Sequence, residues 1–168
     1  MGYSTNTQMS SITPLECIKA SAGTWNINVA ANVWTLDHTA AADTPVLHMP
    51  IRIPGNAAYN AGGMLNSIDI FWSNGTAILT DFSGQLFQNN LPSQGGTQTV
   101  TAITTAYDSG HLNAAARNTV ATHKMTLTLA APLQVRGDTE IFLALTLTAT
   151  ATAVFKLMGV KANWTLRV

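Results

Sequence analysis

Residues 141–155 read IFLALTLTATATAVF and carry no charge. Ile141, Leu143, Leu145 and Leu147 alternate with Phe142, Ala144, Thr146 and Thr148. A period of two with β-branched threonine predicts a strand. A membrane-crossing helix needs about 20 apolar residues, and this run ends at Lys156 with threonines inside it. Residues 149–153 are small and polar enough for a hairpin connection. The chain then resumes with Met158, Val160, Ala162, Trp164, Leu166 and Val168 on one face, and Lys161, Asn163, Thr165 and Arg167 on the other. That predicts a long strand with one wet face.

The same alternation recurs upstream. Leu47, Met49, Ile51 and Ile53 alternate with His48 and Arg52. Met64, Asn66, Ile68, Ile70 and Trp72 alternate with Ser67 and Asp69, and Met125, Leu127 and Leu129 with Thr126 and Thr128. Ser73-Asn74-Gly75 predicts a tight hairpin turn, because Asn-Gly accepts positive φ, with a returning strand at 77–82. Residues 25–34, 85–88 and 97–104 complete eight or nine short strands. Residues 106–123 do not alternate; they predict either a short helix or an extended loop. Many short antiparallel strands in one chain imply an all-β antiparallel sandwich, jelly-roll-like. An immunoglobulin-type sandwich lacks support, since no Cys–Trp–Cys spacing exists. Residues 1–23 precede the first good strand and read as an N-terminal arm before a sandwich domain at 24–168. Ile12, Leu15 and Ile18 make the arm apolar enough to serve as a subunit contact.

Composition sharpens this picture. The 168 residues suit one domain, long enough to need no metal or disulfide for its core. Only 10% are charged, and eight basic residues cancel eight acidic ones. Such a surface attracts neither nucleic acid nor an acidic membrane by long-range fields. It costs little to desolvate, which favours packing between proteins. The one cysteine, Cys17, reads as an inert thiol. The N-terminus has no basic n-region or apolar h-region, so no secretory signal is expected. Asn6 stands where a myristoylation motif wants Ser or Thr.

Candidate chemistry is sparse. Asp37, His38, Asp43 and His48 lie close in sequence, yet match no metal-ligand spacing. A serine-hydrolase elbow is absent. Asp81 and Asp108 are glycosidase acids only by elimination. Residues 58–64, AYNAGGM, lack the Lys-Ser/Thr of a phosphate-binding loop. Arg136-Gly137-Asp138 is too short a motif to mean anything alone. No catalytic, cofactor or metal site is expected. Exposed aromatic rings can stack on sugars. Trp72 and Trp164 fall in register with core positions, which leaves Trp25, Trp34, Tyr59 and Tyr107 as a carbohydrate platform.

Three stretches suggest a family: GGMLNSIDIFWSNGTAILTDFSGQLF, THKMTLTLAAPL and RGDTEIFLALTLTATATAVFKLMGVKANWTL. This order resembles small β-sandwich virion proteins of bacteriophage and metagenomic origin over residues 40–168. The resemblance implies head-decoration or fibre-associated subunits and brings no active-site residues. The expected role is then a non-enzymatic viral structural protein. It would bind copies of itself, as a trimer, and other virion proteins. It would assemble in the host cytoplasm and reside in the virion. Two alternatives stand beside it: a carbohydrate-binding module for a surface glycan, and a cupin-like metalloenzyme using His38, His48, His111 or His123.

Overall fold

The computed structural model describes residues 3–19, 25–30, 33–38, 41–53, 63–75, 77–92, 95–135 and 139–167. The strands are β1 (Tyr3–Ile12), β2 (Ile18–Lys19), β3 (Trp25–Ala30), β4 (Val33–His38), β5 (Val46–Ile51) and β6 (Gly63–Asn74). They continue with β7 (Asp81–Asn90), β8 (Thr99–Ile103), β9 (Thr105–Tyr107), β10 (Thr122–Gln134), β11 (Thr139–Thr148) and β12 (Phe155–Arg167). A 3-10 turn spans Pro14–Glu16, and one short helix, α1, spans Ala114–Asn118.

The strands form two antiparallel sheets. One has seven strands, in the order β3-β4-β12-β6-β10-β9, with β1 also on β12; the other has five, β2-β5-β11-β7-β8. The quartets β4-β12-β6-β10 and β5-β11-β7-β8 face one another, which is jelly-roll connectivity. The alternation explains why: Ile141, Leu143, Leu145 and Leu147 from one sheet and Leu65, Ile68, Ile70 and Trp72 from the other all lie in the buried core. An aromatic file runs through it. Ring centroids are 4.7 Å apart for Trp72 and Phe82, 5.1 Å for Phe82 and Phe155, and 6.2 Å for Phe155 and Trp25.

Several sequence expectations change here. Asn74-Gly75 is no hairpin turn, because β6 and β7 lie in different sheets. The buried Asn74 amide donates to the carbonyls of Arg117 and Thr119, and the chain crosses between layers. Residues 149–153 are likewise a crossing, with Ala149 and Ala153 buried. Residues 25–34 are two paired strands, since Val29 lies opposite Trp34. The expected arm is part of the sandwich: β1 pairs with β12 from Ile12↔Val160 outward, and β2 pairs with β5. Ile12 is a core residue, while Leu15 and Ile18 are exposed. Residues 106–123 hold β9, the one-and-a-half-turn helix α1 and the start of β10.

Two bulges break the parity that the alternation predicted. Leu157 pairs with Trp72 and Gly159 with Phe71, so Met158 is an extra residue on β12. Phe155 and Leu157 point inward before it, Val160, Ala162 and Trp164 after it, and Met158 is thrown outward. Gly159 sits at φ 155°, a conformation that side-chain-bearing residues rarely adopt. Asn66 is the extra residue on β6, so Leu65 rather than Met64 reaches the core.

Candidate functional site

The groove with the most developed chemistry lies on the outer face of the five-stranded sheet. Outward positions there follow from the core alternation. On β11, Glu140, Phe142 and Ala144 interleave with buried Ile141, Leu143 and Leu145; on β7, Gln85, Phe87 and Asn89 share the face opposite to core residues Phe82 and Leu86. Register places Phe142 directly opposite both Phe87 and Pro50, and Glu140 opposite Asn89. The Phe87 and Phe142 rings are nearly parallel, 16° apart with centroids at 5.3 Å, and His48 adds a third ring 4.9 Å from Phe142. The groove encloses about 630 Å³, within the roughly 300–1,000 Å³ range of small-molecule sites.

Polar groups converge on its rim. Asn89 is 5% exposed. Its amide nitrogen donates to Glu140 at 3.0 Å, while its amide oxygen is buried without a hydrogen-bond partner among the described residues. A buried acceptor left without a partner costs on the order of 1–3 kcal/mol. Arg52 also lines the groove and lies 3.6 Å from the Glu16 carboxylate. Glu140 is the sole carboxylate among the described lining residues.

The residues singled out from sequence do not assemble. Trp25 is buried, edge-on to His38 at 5.1 Å, so it offers no face to a ligand; its core parity with Leu36 and His38 explains why. Trp34 is half exposed, but on the other sheet. Tyr107 is half-buried, and its hydroxyl donates to the Gly84 carbonyl and accepts from the Gly84 amide. Tyr59 lies outside the described residues, as does Arg136-Gly137-Asp138.

The four histidines are dispersed as well. His38 is buried 2.8 Å from Asp43, His48 lies in the groove, and His111 and His123 adjoin one another at 3.3 Å beside Trp72. Among the described residues no three His, Cys, Asp or Glu side chains gather as a metal centre needs. The cupin-like arrangement is therefore not formed among the described residues. Burial, with the Glu16 carboxylate adding to it, pushes the Cys17 thiol up to about 12, where almost no thiolate exists at neutral pH.

Asp108 is a clasp for the 108–121 segment. Its carboxylate accepts from the Thr126 amide at 2.7 Å, the Gly110 amide at 3.0 Å and the His111 ring at 2.9 Å. Burial pushes its carboxyl up, but these bonds outweigh burial and hold it below the ordinary carboxylate value. A folded pKa depressed in this way stabilises the protein above about pH 4, the unfolded value, and the gain is lost as pH falls through the folded one. Asp108→Asn is expected to lower stability at pH 7 by about 1 kcal/mol, discounted for partial exposure. Its melting temperature should fall less steeply than that of the parent between pH 5 and pH 3, as thermal melts across that range would show.

No family model and no curated protein matches the sequence. Solved structures resemble it at low identity. The CBM22-1–GH10 modules of Clostridium thermocellum endo-1,4-β-D-xylanase 10B, complexed with xylohexaose, align at 11% identity and a TM-score of 0.47. That match covers 100% of this chain but 29% of the xylanase chain. TmCBM61 in complex with β-1,4-galactotriose aligns at 8% identity, TM-score 0.36, over 98% of this chain and 90% of that one. The family 11 carbohydrate-binding module from Clostridium thermocellum, with a β-1,3-1,4-mixed-linked tetrasaccharide, aligns at 11% identity, TM-score 0.29, over 98% and 89%. These are carbohydrate-binding and glycosidase modules rather than virion proteins, which corrects the expectation of a phage capsid-decoration or other virion subunit.

Proposed function

We propose that this chain is a non-catalytic carbohydrate-binding domain that holds a neutral saccharide in the Phe142 groove. The observation that carries the proposal is the exposed Glu140 carboxylate, held by the Asn89 amide and set beside the Phe142 ring in one groove. A pyranose has C–H faces and a rim of hydroxyl donors. The C–H faces suit the electron-rich face of an aromatic ring. The hydroxyls need acceptors fixed in direction, which the Glu140 carboxylate, oriented by the Asn89 amide, supplies. Hydrolysis of a glycosidic bond uses two flanking carboxyl groups, whereas one lines this groove among the described residues. That favours retention of the sugar over its cleavage.

Isothermal titration against a panel of neutral oligosaccharides tests this. At least one is expected to bind, and Phe142→Ala should weaken it roughly tenfold or more. Because Phe142 also packs on Phe87 and His48, the exposed Glu140→Ala variant provides a second test outside that ring cluster, with a similar loss expected. No binding across the panel, or binding indifferent to Glu140→Ala, would overturn the proposal.

A further inference from the structure

The Met158 bulge helps to build a second groove, on the outer face of the seven-stranded sheet. It encloses about 530 Å³, and Trp34, Phe71, Met158, Lys161, Ser11 and Thr13 are among its lining residues. Trp34 is 50% exposed and Met158 40%. Counted from the inward Phe155 and Leu157, an unbroken β12 would turn Lys161 into the core; the extra residue keeps Met158 and Lys161 together on the outer face. Phe71 lies between buried Ile70 and Trp72 and so points outward, and two ammonium groups flank its ring. Lys161 Nζ is 5.4 Å from the ring centroid and Lys124 Nζ 5.9 Å.

The two lysines differ in what balances them. Lys124 is 3.1 Å from the carboxylate of Asp69, which also accepts from Thr126 Oγ1 at 2.7 Å. Lys156, farther along β12, is 3.9 Å from Asp37. Lys161 lies across the ladder from Asp69, yet has no carboxylate within ion-pair distance among the described residues. The groove therefore joins an exposed indole, a benzene ring, two hydroxyl side chains and one uncompensated cation. In a chain with so few charges, that cation is a specific feature.

We propose that this groove is a second saccharide site, separate from the Phe142 groove, and that it takes an acidic sugar. A uronate carboxylate pairs with Lys161, the ring packs on Trp34 and Phe71, and Ser11 and Thr13 meet its hydroxyls. The two grooves lie on opposite sheets, so one domain can hold two chains of different charge at once.

Titration of the full chain with trigalacturonic acid and with neutral galactotriose tests this. Trigalacturonic acid is expected to bind, more weakly as salt is raised. Lys161→Gln, which keeps most of the stem, and Trp34→Ala should each weaken it roughly tenfold, with unchanged circular dichroism. Phe142→Ala should leave it unchanged. The proposal is overturned if trigalacturonic acid binds no more tightly than galactotriose, or if Lys161→Gln leaves its affinity intact. It is also overturned if Phe142→Ala alone removes binding, an outcome that keeps the Phe142 groove as a sugar site. Conversely, neutral sugars indifferent to Phe142→Ala and Glu140→Ala would remove the earlier proposal and leave this one standing.

Discussion

Trp72→Ala is expected to cost about 3–5 kcal/mol of stability, the usual range for emptying a large aromatic site in a core. Trp72 is fully buried. It stacks on His123 at 4.7 Å and 11°, packs on Phe82 at 4.7 Å, and approaches His111 at 5.6 Å. It thus ties the aromatic file between the sheets to the 108–121 segment. Surrounding side chains come from both sheets, so the cavity cannot collapse without shifting one sheet against the other. Trp72→Phe should be far milder, below about 2 kcal/mol. The indole N–H is buried without a partner among the described residues, so its removal strands none of them. Urea unfolding of the three proteins checks this. Equal losses for Ala and Phe would mean that the N–H, not the ring volume, matters.

The second large effect is expected at Arg117. This side chain is 7% exposed on α1, yet it is a cation. Its Nε donates to the Phe82 carbonyl at 2.7 Å, and Nη1 to the carbonyls of His111 and Leu112 at 2.8 and 3.2 Å. The guanidinium carbon sits 4.5 Å from the Tyr107 ring centroid. The half-exposed Asp81 carboxylate, 3.9 Å away, adds little. Arg117→Met keeps much of the volume but leaves the carbonyls short of donors, an expected loss of about 2–4 kcal/mol. Arg117→Lys should recover little of it, because one ammonium cannot span the fork of carbonyls. Hydrogen exchange should show faster opening of residues 108–121 in both variants; a stability loss without it would place the effect elsewhere.

What the sequence disclosed divides along physical lines. Ile141 to Leu147 could be read as a strand because burial of one face dictates a period of two, and a period of two is local. Which sheet a strand joins is not local: Asn74-Gly75 has the residues of a hairpin turn, yet its neighbours β6 and β7 separate. Bulges hide for the same reason. Met158 and Asn66 are ordinary members of an alternation until the partner strand is known. The groove was partly visible. Phe142 was already on the outward side of its strand, a position where a large apolar ring gains nothing from the core, and Phe87 shares that signal between Gln85 and Asn89. Phenylalanine, unlike tryptophan or tyrosine, has no polar handle to mark it as a surface residue. The Asn89–Glu140 pair could not be seen at all, since its members stand 51 residues apart and meet only across β7 and β11.

β12 has β4 and then β1 along one edge and β6 along the other. Every other strand of the seven-stranded sheet is joined to its far side through this one. The bond from Trp164 Nε1 to Ser10 Oγ spans 154 residues of chain. Closing so long a loop is slow, and its entropy must be met before the contacts repay it. Without β12 the sheet is three pieces, β3-β4, β6-β10-β9 and β1, that wait for their keystone. A chain caught before β12 docks presents raw edges on β4 and β6 and an unpaired β1, the kind of surface on which unfinished chains clump.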